Sequence, residues 1–224
     1  MKPIYEPKGA AKEYGDYALN IYTGCPHRCY YCFAPQVLHR DREQFHSIVE
    51  PRANIVEETR KQLEREDFRG KTIHLCFTCD PYPTGYDTTP TREIIKLLKA
   101  HGAHVQILTK GDGSRDFDLL GENDWYGVTY DGSRPRYVPI SLCFARNKGI
   151  KTWISFEPVV NAEAVLAKIV WAAEVGIDKV KIGKLNYHPS SIDWAAFGRK
   201  AEEICQKYGL DYYIKDSLRK EMEK

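Results

Sequence analysis

Thr72-Ile73-His74-Leu75-Cys76-Phe77-Thr78 alternates apolar and polar side chains, the period of a strand whose two faces meet different surroundings. Ile73, Leu75 and Phe77 share one face, which predicts packing beneath helices. His74, Cys76 and Thr78 share the other, which is polar. Similar strand-like runs occupy residues 17–22, 104–109, 125–130, 152–156, 179–183 and 211–215. Between them lie helical patterns at 53–66, 91–101 and 162–175, with a weaker one at 193–208. Thr91 is expected to begin its helix after Pro90, and Gly102 to end it. Asn161 precedes the next helix and Gly176 closes it, as capping preferences predict.

Strand and helix in alternation imply parallel βα units. The two-residue period places Ile154, Phe156, Val180, Ile182 and Ile214 outward. It places Ser155, Glu157, Lys179, Lys181, Tyr213 and Lys215 inward. A closed eight-stranded barrel fills its interior with branched apolar side chains, so an inner face this polar predicts a lined cavity. About seven such units fall short of an eightfold barrel, and ligands are expected at the carboxyl ends of the strands.

After the first of these strands comes Tyr22-Thr23-Gly24-Cys25-Pro26-His27-Arg28-Cys29-Tyr30-Tyr31-Cys32-Phe33. Its CxxxCxxC spacing supplies three thiolates from one loop and no fourth. Structural zinc closes a shell of four protein ligands, whereas cysteine runs also hold iron-sulfur clusters. A zinc site completed by His27 or Cys76 fits the same residue types. So do three unrelated buried cysteines, although Gly24, Pro26 and Arg28 mark an irregular segment and not a core face.

With Tyr31 directly before the last cysteine, the loop resembles the signature of the radical S-adenosylmethionine (radical SAM) superfamily. The resemblance implies a 4Fe-4S cluster on Cys25, Cys29 and Cys32, with an open iron that chelates S-adenosylmethionine and an adenine contact from Tyr31. It further implies an enzyme in which one electron, from a donor such as a flavodoxin or ferredoxin, yields a 5'-deoxyadenosyl radical that takes a hydrogen atom from substrate. Under that reading His27 is a loop residue, because a histidine ligand would close the open iron. Residues 78–83, 91–93, 108–111 and 115–120 add a similarity to the spore photoproduct lyase-like branch, extending over about residues 17–184. The branch implies an α/β partial, open βα barrel of six or seven parallel strands. It also implies cofactor contacts at Thr78, Asp80, Lys110, Ser155 and Glu157, with Glu157 equally suited to pair with Lys181. One DNA repair lyase of the branch reverses a thymine dimer, but a shared fold does not transfer a substrate. The substrate is left unidentified, with nucleic acid a candidate.

Cys76 and Cys79 form a CxxC at the rim, open to three readings: hydrogen-atom donor, ligand of a second metal, or ordinary buried thiols. Cys143 and Cys205 lie in helical patterns and are expected in the core, as are Trp125, Trp153, Trp171 and Trp194. Tyr187 and His188 follow a strand at the rim, where substrate contact competes with plain surface placement.

At 224 residues with 42% hydrophobic content, the chain is long enough for one large core, expected as a domain over 17–224 behind a lead segment 1–16. No signal peptide is apparent, and no apolar run approaches the ~20 residues of a bilayer span. With seven cysteines, an odd number, this suits a reducing, cytoplasmic setting better than a disulfide framework. A net charge of +2 from 33 basic and 31 acidic residues makes no global demand for nucleic acid. A local patch from Arg134, Arg136, Lys215, Arg219 and Lys220 is the candidate for phosphate contact. The alternative function from another class is a non-catalytic protein in which zinc or an inert cluster organises a nucleic-acid-binding surface.

Overall fold

A computed structural model describes residues 2–224. The chain divides into two compact units, one running to Trp125 and one spanning Tyr126–Lys224. The first contains β1 (Ile4–Tyr5), β2 (Tyr17–Leu19), α1 (Ala34–Val37), α2 (Arg42–Ser47), α3 (Ile55–Leu63), β3 (Thr72–Leu75), α4 (Thr89–Ala100) and β4 (His104–Thr109). β2, β3 and β4 are parallel neighbours, and β1 runs antiparallel along β2. Their register aligns Leu19, Leu75 and Ile107 in one row and Ala18, His74 and Gln106 in the next. The first row is fully buried, like Ile94, Ile95 and Leu98 of α4. Each such side chain contributes roughly 1.5–3 kcal/mol on leaving water. β1 falls inside the expected lead segment. The Gln62 amide fixes it, accepting from Ile4 N at 2.8 Å and donating to Ile4 O at 2.9 Å, which satisfies backbone groups an edge strand would otherwise leave open.

Two expectations here are corrected. β3 stops at Leu75 because Cys76 takes a left-handed backbone, φ 69°, and one such residue breaks the two-residue alternation. Phe77 therefore does not join Ile73 and Leu75; its ring stacks on His74, with centroids 4.3 Å apart. α4 begins two residues before Thr91 and takes Pro90 into its first turn, where the missing N–H is harmless. Thr91 instead faces the core, its hydroxyl donating to Pro81 O at 2.6 Å.

The second unit contains β5 (Trp125–Thr129), which starts at the boundary, then α5 (Ile140–Asn147), β6 (Lys151–Phe156), α6 (Ala162–Glu174), β7 (Lys179–Ile182), α7 (Trp194–Tyr208), β8 (Asp211–Ile214) and α8 (Asp216–Met222). β6, β7 and β8 are parallel neighbours, and β5 lies beside β6. Asn161 and Asp193 cap α6 and α7 by accepting from Ala164 N and Ala196 N. Ile154, Phe156, Val180 and Ile182 are fully buried, while the register groups Trp153, Ser155, Lys181 and Tyr213 on the opposite face. Of the four tryptophans only Trp153 is fully buried, at 2% exposure. Cys205 is buried and Cys143 half-buried. Among the described residues no helix is long and apolar enough to cross a membrane.

Gly127 on β5 leaves room for the Trp153 indole: a Cβ there would stand 2.2 Å from its Nε1. Gly127→Ala must displace a buried ring and is expected to destabilise the fold by about 1–3 kcal/mol, measured as a lowered urea midpoint at unchanged slope.

Candidate active site

The cysteine loop leaves β2 and is held by the segment that follows it. Cys25 N donates to Phe45 O at 3.1 Å, and buried His46 meets Cys25 O through Nδ1 at 2.7 Å, so that this nitrogen carries the proton. The Arg42 guanidinium donates to three loop carbonyls, Cys29 O, Tyr30 O at 2.8 Å and Cys32 O at 3.2 Å. Arg40 reaches Thr23 O. Gly24 allows this approach, because a Cβ would lie 2.3 Å from Phe45 O and 2.4 Å from Ile48 O. Sequence reading left residues 38–50 without a role. Their signal was Asp41 ahead of Arg42-Glu43-Gln44, the pattern of a capped helix, and Asp41 does accept from Gln44 N at 2.9 Å.

The three sulfurs fit a cluster by their chemistry. Backbone N–H groups of His27 and Ala34 donate to Cys25 and Cys32, as suits thiolates that bind metal. Burial pushes both thiols up, for Cys25 with help from the Asp80 carboxylate, so that metal binding must release protons there. Among the described residues no three His, Cys, Asp or Glu side chains converge on a single-ion site. The two proposed fourth ligands for zinc have other partners: His27 Nε2 lies 3.0 Å from Asp80 Oδ2, and the Cys76 thiol bonds Cys79.

Asp80 joins three segments. Its Oδ1 accepts from Tyr82 N at 2.8 Å and Thr109 Oγ1 at 2.5 Å; its Oδ2 meets Lys110 N at 2.8 Å and His27 Nε2 at 3.0 Å. Burial raises its pKa, but these donors, His27 foremost, outweigh burial and hold it below the ordinary carboxylate range. Lys110 places its ammonium 5.5 Å over the Tyr31 ring. Thr78 lies at the same end of β3, its hydroxyl 3.5 Å from Arg52. Tyr31, Thr78, Asp80, Lys110 and the cluster cysteines thus all lie in the first unit.

Cys76 and Cys79 lie against each other, Cys76 buried and Cys79 half-buried, with Tyr22 N donating to Cys79 Sγ at 3.4 Å. Burial pushes both thiols up. For Cys79 the bonds from Cys76 and the backbone, with the charge of Arg52, reverse that and favour the thiolate, whereas Cys76 stays high.

In the second unit Ser155 is buried in β6, and Glu157 follows it. The Glu157 carboxylate pairs with Lys215 at 2.5 Å, a partner that the sequence reading, which weighed Lys181 against a cofactor contact, did not name. Lys181 lies 5.5 Å over the Trp153 ring and 5.9 Å over Tyr213. Lys215 is buried and Arg219 is bound to Glu202 at 3.0 Å, so the expected basic patch loses two members to carboxylates, while Arg134, Arg136 and Lys220 are exposed. Tyr187 and His188 are exposed.

Parallel strands with helices between them and a three-cysteine loop at a strand's carboxyl end define the class as a βα fold with its candidate site at the strand ends. The Radical SAM superfamily model matches residues 19–188, and the chain belongs to that family of enzymes. Solved structures of spore photoproduct lyase share the fold. The complex with dinucleoside spore photoproduct superposes with a TM-score of 0.68 at 12% identity, covering 93% of this chain and 78% of that one. A variant with bound AdoMet and the same dinucleoside gives 0.59 at 15%, covering 92% and 65%. The architecture is accordingly the expected α/β partial barrel with an open sheet. Two uncharacterized proteins, Mb2609c of Mycobacterium bovis and Rv2578c of Mycobacterium tuberculosis, are each 36% identical over 114 residues, 47% of this chain. The match spans 33% of each mycobacterial protein's length.

Asp80→Asn keeps the size of the side chain but turns an acceptor toward Lys110 N–H into a donor. At pH 7 the variant apoprotein is expected to be about 2 kcal/mol less stable than the parent. Because the folded pKa of Asp80 is depressed, its contribution is complete above the unfolded value of ~3.9 and fades as pH falls through the lower folded value. Urea titrations at several pH values should show the gap narrowing only in acid.

Proposed function

We propose that Cys25, Cys29 and Cys32 hold a 4Fe-4S cluster with one open iron, that S-adenosylmethionine binds there, and that the radical so formed acts on a nucleic-acid substrate. The carrying observation is a pinned loop whose three thiols belong to the family signature, while His27 and Cys76 are engaged elsewhere. Cluster and S-adenosylmethionine together supply reductive cleavage of a carbon-sulfur bond, the one step the side chains cannot perform.

The chain's own residues bind and orient. Tyr31 offers a face for the adenine, and Thr78 and Lys110 lie at the carboxyl ends of β3 and β4 for the remaining polar groups of the cofactor. Ser155 and Glu157 are retained as candidate contacts for methionine or ribose, Glu157 being paired with Lys215. The solved relatives that bind dinucleoside spore photoproduct make a photodamaged dinucleotide the first substrate to try. A flavodoxin or ferredoxin is the proposed reductant. Seven cysteines, all free, suit a cytoplasmic setting.

Anaerobic reconstitution should give about four irons and four sulfides per chain, and Cys29→Ala should lose most of the iron. Dithionite with S-adenosylmethionine should yield 5'-deoxyadenosine and methionine. A protein purified with one zinc and no bound iron after reconstitution would establish the non-catalytic reading instead.

The Cys76–Cys79 pair is the proposed hydrogen-atom donor to a product radical, since Cys76 holds an S–H within reach of Cys79. Cys76→Ser, folded and fully clustered, should cleave S-adenosylmethionine normally but divert or leave unquenched the product from the photodamaged dinucleotide. An unchanged product distribution refutes the donor role.

A further inference from the structure

Asp80, singled out from the sequence as a cofactor contact, is placed by the structure in another role. A carboxylate offers about four lone-pair sites, and the protein fills four with Tyr82 N, Thr109 Oγ1, Lys110 N and His27 Nε2. The residue is 6% exposed. Such a group has no lone pair left to offer a ribose hydroxyl or an ammonium.

What it does have is one partner in each of three segments. Tyr82 belongs to the loop after β3, Thr109 and Lys110 to the end of β4, and His27 stands between the first two cluster cysteines. We infer that Asp80 is the positioning residue of the site, a buried clamp that fixes the cysteine loop against the ends of β3 and β4 and thereby sets where the open iron faces. The inference rests on the proposed cluster at Cys25, Cys29 and Cys32. His27 is the movable half of the clamp. Its side chain is 13% exposed; Arg28 beside it turns the other way, to Glu43 at 2.7 Å and Ser47 at 3.2 Å, so the Asp80 bond is the hydrogen bond that draws this turn toward the strand ends. Lys110 is oriented by the same carboxylate through its N–H, and its ammonium lies over Tyr31. A single anion therefore sets both the metal loop and two residues beside it.

The test uses the full reconstituted chain with His27→Phe, His27→Gln and Asp80→Asn. Iron and sulfide content reports on the cluster. The affinity for S-adenosylmethionine, read from its effect on the electron paramagnetic resonance spectrum of the reduced cluster, reports on positioning. His27→Phe removes the donor at similar volume, and His27→Gln restores one.

The expected result is that His27→Phe and Asp80→Asn keep the iron of the parent but bind S-adenosylmethionine at least about tenfold more weakly, as a small misplacement of reacting groups does. His27→Gln should return to within about threefold of the parent, a rescue that a general loss of stability does not produce. Unchanged affinity and spectrum in His27→Phe, at full iron content, overturns the clamp and leaves the cluster reading intact. A parent protein that takes up no iron overturns both. If Asp80→Asn does not fold, the two His27 variants decide the question alone.

Discussion

A loop that must present three sulfurs to one centre has no hydrogen-bond ladder of its own, so its carbonyls need donors from elsewhere. In this protein α2 and its flanks supply them: Arg40, Arg42 and His46 all donate to the backbone of residues 23–32. Arg42 suits this because its planar fork reaches several acceptors at once. Two consequences follow. The thiols themselves are spared from holding the loop together, and a change at Arg40, Arg42 or His46 acts on the cysteine loop without touching a cysteine. Gly24 has to be side-chain-free for the same reason, since the approach of the two segments leaves no space for a Cβ.

The rim beyond the loop is stiffened by a second set of charges. Asp116 is fully buried and accepts from Arg92 at 2.8 Å, from Arg115 at 2.9 Å and from the Tyr82 hydroxyl at 3.1 Å, while Arg92 also grips Asp118 at 2.6 Å. The stretches 91–93 and 115–120, which carry the resemblance to the spore photoproduct lyase-like branch, are therefore largely parts of one scaffold. They tie the loop after β3, through Tyr82 and Asp116, to Arg92 of α4. Their similarity speaks for a common framework and is neutral about substrate.

How much of this could be read from the chain follows the range of the interactions. β4 was legible to the residue, because His104–Thr109 alternates cleanly between two turn signals. Asp193, read as the first residue of a weaker helix, turns out to be its cap, whereas the cap at Asn161 is local and was equally readable. The left-handed Cys76 was not, since nothing in its neighbours announces a positive φ, and its effect on Phe77 depends on a ring stacked from His74. Long-range pairings were the main blind spot: Glu157 has two inward lysines within its sheet, and only the geometry chooses Lys215 over Lys181. Arg42 and His46 were invisible because their partners are backbone carbonyls, which have no signature in composition. The cysteine loop was legible for the opposite reason, since its spacing is chemistry in one stretch of chain.

The division of labour between loop and strands bears on what a substrate must satisfy. The first unit holds the cysteine loop, Tyr31 and Asp80, the residues proposed for generating a radical. The second presents a different surface, with Lys181 lying over Trp153 and Tyr213 and with Glu157 held by buried Lys215. An ammonium resting on aromatic faces keeps its charge while being partly shielded from water, the condition under which it attracts an anion or a polarised carbonyl most strongly. On the proposed reading, specificity falls to side chains such as these, which take no part in holding the cysteine loop. The same framework would then admit different substrates without any change in that loop.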